Sequence, residues 1–261
     1  MGPRILVAAV WLAVAVPILK VGGPVFFALA ALLAMVMLFE YYRMAKPLRP
    51  IPLAGYVTTL AVLIGAYRGG LVPMAGLLTA GLPLTFVLAA VAPRRGLGVA
   101  SIGSTLLGAL WVSAGVGHVI LLRTEFGVGF GLLVALMGGV IASDSVAYFG
   151  GRLFGRHQLA PRISPNKTVE GFVAGVIGCV AGVWFIGLYQ PWISHAESLV
   201  LGGAIAVAAP LGDLFESYVK RDLDVKDSGS FFGGGHGGAL DRLDALLFAG
   251  VAAYYTARAL L

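Results

Sequence analysis

LGDLFESYVKRDLDVKDSGSFFGGGHGGALDRLDALL, residues 211–247, holds seven of the chain's twelve carboxylates: Asp213, Glu216, Asp222, Asp224, Asp227, Asp241 and Asp244. It also holds four cations, Lys220, Arg221, Lys226 and Arg242. The surrounding chain is 59% hydrophobic and 11% charged. Charges this dense between two apolar runs are costly unless they meet water, ions or a charged ligand. The stretch therefore reads as a site for metal and polyphosphate at a membrane surface, and the rest of the chain as its support.

Composition supports the membrane. A chain of 261 residues with mean hydropathy +0.94 has too little polar surface to cover a soluble particle. Nine runs of apolar residues, near 5–21, 24–40, 51–67, 71–92, 98–121, 127–149, 171–190, 197–216 and 243–260, are long enough to cross a bilayer as helices. The predicted fold is an all-α polytopic membrane protein. Arg4 before the apolar run Ile5–Leu19 has the form of a signal peptide, but the run is read as a retained first span. With the N-terminus and every even-numbered connection on one side, fourteen Lys and Arg fall there and four (Lys20, Arg68, Arg123, Arg258) on the other. The positive-inside bias puts the N-terminus in the cytoplasm and the C-terminus on the opposite side. Residues 1–125 then read as scaffold helices. Residues 126–261 read as the catalytic region of the same membrane domain, with polar segments 150–170 and 217–242 opening to the cytoplasm.

The formal net charge of +6 is spread over short loops, which suits anionic headgroups and not nucleic acid. The single cysteine, Cys179, excludes an internal disulfide and reads as a packing residue. Glu40, Tyr41, Tyr42 and Arg43 read as an interfacial belt, and His118 as a hydrogen-bonded packing residue.

Two segments carry chemistry. In the first, Asp144 lies within the sixth run, flanked by Ser143 and Ser145, with Tyr148 on the same helical face. An intramembrane carboxylate points to function, although hydrogen bonds to those hydroxyls alone could account for it. Further on, Ser164-Pro165-Asn166-Lys167-Thr168-Val169-Glu170 reads as a helix start with Ser164 as N-cap and Pro165 first in the helix. Free amides there, beside Lys167 and Thr168, suit a phosphate, and an ordinary capped helix is the alternative. In the second segment Asp213, Glu216 and Lys220 fall at i, i+3, i+7 on one helix face, and Asp241 and Asp244 at i, i+3 on the next helix. Carboxylates from two helix ends can share a hard cation that prefers oxygen and keeps several waters. Lys220, Arg221, Lys226 and Arg242 can neutralise phosphate oxygens. The glycine-rich connection 229–238 allows close backbone approach, and His236 is its one titrating side chain.

Ser217-x-x-Lys220-Arg221, Lys226-Asp227-x-Gly229 and His236-Gly237-Gly238-x-x-Asp241-Arg242-x-Asp244 together resemble the signature of the phosphatidate cytidylyltransferases, or CDP-diacylglycerol synthases. Asp144-Ser-x-Ala-Tyr148-x-x-Gly151-Arg152-x-Phe154-Gly155 and Ser164-Pro165-x-Lys167-Thr168-x-Glu170-Gly171 are similar to the family's upstream segments. Where the family pattern has Pro-Gly before His-Gly-Gly, this chain has Gly233-Gly-Gly235 and is one residue longer.

The resemblance implies transfer of the cytidylyl group of CTP to phosphatidate, releasing pyrophosphate and requiring Mg²⁺. It implies metal ligation by Asp213 and Asp241, with Asp144, Asp227 and Asp244 available for a second cation or an outer shell. It implies catalytic roles for Lys167, Lys220, Arg221, Lys226, Asp227, His236, Arg242 and Asp244. Substrate contacts fall to Asp144, Tyr148, Ser164, Pro165, Lys167, Thr168, Glu170, Gly237 and Gly238. The expected setting is the bacterial cytoplasmic membrane with the active site facing the cytoplasm. The expected partners are CTP, phosphatidate and membrane lipids, with a homodimer allowed by the small-residue helix faces. Two other readings stay open: a cytidylyltransferase for an ether-lipid or polyprenyl phosphate, and a cation-coupled transporter.

Overall fold

Prolines mark where several helices begin, because a residue without an N–H fits the first turn, where no intrahelical acceptor is needed. The computed structural model describes residues 16–91, 98–229 and 237–261. Residues 16–21 are helical, and the rest of the first expected span lies outside the described residues. The helices that follow are α1 (Gly23–Met44), α2 (Pro52–Gly69), α3 (Leu71–Val91), α4 (Val99–Thr124), α5 (Gly129–Phe154), α6 (Val169–Gly187), α7 (His195–Asp222) and α8 (Leu240–Leu260). Proline stands in the first turn of α1 and of α2. Six of these helices, α1 and α3 to α7, are long and apolar enough to cross a membrane. The fold is that of an all-α membrane protein.

α4 is the centre of the assembly. Of its most apolar window 72% is buried, against 17–39% for the other five candidates. α1, α2 and α8 pack on it, while α5, α6 and α7 form a neighbouring layer joined to α8. Three of its polar side chains meet carbonyls of their own helix. Thr105 Oγ1 donates to Ser101 O (2.6 Å), Ser113 Oγ to Ala109 O (2.5 Å), and His118 Nδ1 meets Ala114 O (2.7 Å). Such back-bonding settles hydroxyls where no water is available. Cys179 is buried as a packing residue against Gly202.

Two expectations need correction. Tyr41 and Tyr42 are buried, not in an interfacial belt. Tyr42 OH donates to Thr105 O (2.9 Å) and Tyr41 packs edge-on against Trp111, so both hydroxyaryl groups dock on α4 while Arg43 stays exposed. Ser164 is not an N-cap and Pro165 does not open a helix. Residues Ser164–Thr168 form strand β2, antiparallel to β1 (Gln158–Ala160). The residue before a proline is biased toward extended backbone, and proline is tolerated at a sheet edge. The cap of α6 is Thr168, whose Oγ1 accepts from Gly171 N (3.1 Å).

α7 and α8 approach closely at Gly212, where an added Cβ would lie 2.5 Å from Asp244 O and 3.1 Å from Ala245 Cα. Both neighbours are backbone and have no room to yield. Gly212→Leu is expected to lower stability by about 1–3 kcal/mol by forcing the helices apart. Unfolding in detergent micelles measures this, and an unchanged midpoint would contradict the close crossing.

Candidate active site

The charged residues gather where the C-terminal third of α7 faces the start of α8. Lys220 Nζ donates to Glu216 Oε2 (2.6 Å) and to Asp241 Oδ1 (2.8 Å). Glu216 is 1% exposed, and the Lys220 and Asp241 side chains are each 13% exposed, so this is a buried, nearly dry triad. Glu216 Oε1 is buried with no described hydrogen-bond partner.

Asp241 does more than pair with Lys220. Its Oδ2 accepts from Ser228 N (3.1 Å), Ser228 Oγ (2.8 Å) and Gly238 N (2.7 Å). Gly237 has φ +72°, a left-handed conformation that glycine adopts without strain. One carboxylate thus ties Ser228 to Gly238. His236 lies outside the described residues.

Sequence reading missed Glu40, which it assigned to the scaffold. Glu40 is 1% exposed near the end of α1. It accepts from Ala239 N (3.0 Å) and Leu240 N (2.8 Å), with Ser228 Oγ at 3.4 Å. The signal was present: a carboxylate among the apolar residues of a span carries the same presumption as Asp144.

The second group lies beside the triad. Lys167, carried on β2, pairs with Asp213 Oδ2, and its Nζ is buried with no described hydrogen bond beyond that ion pair. Asp144 on α5 and Asp244 on α8 lie close enough to feel the charges of both Asp213 and Lys167. Asp144 is exposed on its helix, whereas Asp244 is buried and its Oδ1 accepts from Ala245 N (2.7 Å). The described contact in this group is the ion pair between Lys167 of β2 and Asp213 of α7.

The β1–β2 hairpin delivers Lys167, and Glu170 braces it. Glu170 accepts from Arg156 N (3.0 Å), His157 N (3.2 Å) and His157 Nδ1 (2.6 Å), which commits its carboxylate to the turn between α5 and β1. Arg221 Nε donates to Ile163 O (3.4 Å), joining the end of α7 to the same hairpin. Pro165 contributes its carbonyl to Gln158 (3.2 Å). Tyr148 is exposed, its hydroxyl accepting from Arg152 Nη1 (3.3 Å). Lys226, Asp227 and Arg242 are exposed around the rim.

The described contacts pair Lys167 with Asp213, and separately join Glu216, Lys220, Asp241 and Gly238. No described contact joins Asp213 to Asp241. Among the described residues no three His, Cys, Asp or Glu side chains form a ready metal cage.

Fold and site together define a polytopic helical membrane protein with paired carboxylate and ammonium clusters between its last helices. Residues 2–260 match the model of the cytidylyltransferase family, and the chain belongs to that family. It is 42% identical over 148 residues to phosphatidate cytidylyltransferase 4, chloroplastic, of Arabidopsis thaliana, covering 55% of this chain and 37% of that one. It is 45% identical over 130 residues to the phosphatidate cytidylyltransferase of Mycobacterium leprae (48% and 40%). The figure for the Helicobacter pylori phosphatidate cytidylyltransferase is 41% over 134 residues (51% and 50%). The matched stretches span half or less of each of these relatives.

Proposed function

We propose that this chain transfers the cytidylyl group of CTP to phosphatidate, giving CDP-diacylglycerol and pyrophosphate. The observation that carries this reading is the pairing of Asp213 with Lys167 and of Asp241 with Lys220, in a chain of the cytidylyltransferase family. In the reaction a phosphatidate phosphate oxygen bonds to the α-phosphorus of CTP, and the bond from that phosphorus to the α–β bridging oxygen breaks. The nucleophile is already an anion, so no strong general base is required. The barrier is the approach of two polyanions.

In this reading Mg²⁺, a hard divalent cation, would be held by Asp213 and Asp241, with Asp144, Asp227 and Asp244 available to a second, and the two ligands, which pair with different lysines, would have to be drawn together by the ion. The donors are all carboxylate oxygens, and each of the two ligands already sits against an ammonium, so both positions favour positive charge. The chemistry such a cation would supply there is positive charge for the phosphate oxygens of the α-phosphorus and of the departing pyrophosphate. Lys167, Lys220, Arg221, Lys226 and Arg242 supply the charge that holds triphosphate and lipid phosphate.

In this reading the N-terminus lies in the cytoplasm, the chain makes nine spans, and the site opens on the cytoplasmic face of a bacterial inner membrane. Chemistry belongs to residues 126–261, and a homodimer is compatible with the small-residue faces. The test is pyrophosphate release by purified protein in phosphatidate-containing micelles. Release is expected only with CTP, divalent cation and lipid together. Preference for an ether-lipid or polyprenyl phosphate in the same assay would reassign the acceptor, and solute flux without nucleotide would favour a transporter. Lys20→Gln, on the opposite side, is expected to leave the rate within about twofold, as for a solvated surface charge. A large loss would contradict the orientation.

A further inference from the structure

We infer that Glu40 is a positioning residue for the proposed transfer: from the first half of the chain it fixes the backbone turn that aims Asp241. The inference rests on the cytidylyl-transfer reading. Glu40 lies in the last turns of α1 and meets groups about two hundred residues away in sequence. Its Oε1 accepts from Ala239 N and its Oε2 from Leu240 N. Amides at a helix start have no intrahelical acceptor, and the N-cap of α8, Ala239, makes no side-chain cap of its own. Glu40 supplies that cap from another helix, as an anion at the positive end of the α8 dipole.

Ser228 Oγ lies 3.4 Å from Glu40 Oε2 and 2.8 Å from Asp241 Oδ2, so one hydroxyl links the two carboxylates. Gly229 and Gly238 press on the same side chain. A Cβ at Gly229 would lie 3.3 Å from Glu40 Cγ, and one at Gly238 would overlap Glu40 Oε2. Asp241 follows Leu240 directly. Fixing the amides of 239 and 240 therefore sets where its carboxylate leaves the helix and whether it reaches Lys220. Without the acceptor at Glu40, two buried N–H groups lose their partner, and the first turn of α8 can relax only by moving Asp241.

The test uses the full chain in micelles with CTP, Mg²⁺ and phosphatidate. Glu40→Gln preserves size but turns an NH₂ toward one of the two amides. It is expected to lower kcat by about tenfold or more, leave KM for phosphatidate within about twofold, and speed amide exchange at Ala239 and Leu240 by about tenfold. Exchange along residues 26–37 of α1 should not change. Glu40→Asp, which keeps the charge on a shorter arm, should recover part of kcat. Faster exchange with normal kcat would reduce Glu40 to a fold-holding role, and unchanged exchange would remove the cap itself. Either result overturns the inference. If Glu40→Gln fails to insert, Glu40→Asp carries the test alone, and kcat must fall by about threefold or more together with faster exchange at Ala239 and Leu240. An unchanged rate there also overturns it. A wild-type protein inactive in this assay would remove the cytidylyl-transfer reading and the inference with it. That result is distinct, because exchange still reports whether the cap exists.

Discussion

Asp213→Asn is expected to reduce pyrophosphate release by about 10²-fold or more while leaving the unfolding midpoint nearly unchanged. The two halves of this expectation have different causes. Asp213 is 38% exposed at its side chain, and its described ion pair is with Lys167. With side chains 28% and 38% exposed, the pair contributes about 1 kcal/mol, the upper end for a solvated pair because Lys167 Nζ itself is shielded. Removing one of the negative charges shared with Asp144 and Asp244 also relieves repulsion. Folding should hardly register the change. Chemistry should, because the amide is a poor ligand for a hard cation and leaves Lys167 without its counter-charge. A second readout is Mn²⁺ binding to nucleotide-free protein, which should weaken by about tenfold.

Asp241→Asn provides the contrast. It should lose turnover as completely, but with a stability cost of about 1–3 kcal/mol. Asp241 receives donors from Lys220, Ser228 and Gly238, and an amide turns two hydrogens toward groups that are themselves donors. A stable, inactive Asp213 variant beside a less stable, inactive Asp241 variant would fit the assignment. Near-normal turnover in both would remove it.

The difference between those two aspartates was not legible in the sequence, although their presence in one charged cluster was. Spans can be read from sequence because lipid imposes a length of apolar chain, and a helix lies within each expected run from residue 24 onward. Spacing places Asp213, Glu216 and Lys220 on one face of a helix, since that depends only on helical pitch. The choice of partner depends on a second helix. Lys220 takes Asp241 rather than Asp213, and Asp213 takes Lys167 from a hairpin that local signals misread as a helix cap. Ser164 and Thr168 both precede plausible first turns, and pairing of 164–168 with 158–160 decides between them. Glu40 is the extreme case, because nothing near it in sequence points to residues 228–240.

Lys220→Met should be the most destabilising single change in the site, at about 3–5 kcal/mol, the range for removing one partner of a buried ion pair. Glu216 is 2% exposed at its side chain and takes Lys220 on Oε2, while Oε1 has no described hydrogen-bond partner. With the ammonium gone, the two carboxylates that it bridges would lose their common counter-charge in a nearly dry gap. Asp241 would keep the Ser228 and Gly238 donors, but Glu216 would keep none that is described. The cost therefore falls mainly on Glu216, which sets a specific double-variant result. Adding Glu216→Gln to Lys220→Met removes the uncompensated charge and should restore more than half of the lost stability, though not the activity. Unfolding of the single and double variants in micelles measures both. A loss below about 1 kcal/mol in Lys220→Met, or no recovery in the pair, would mean that water reaches the triad and that Lys220 serves the phosphates alone.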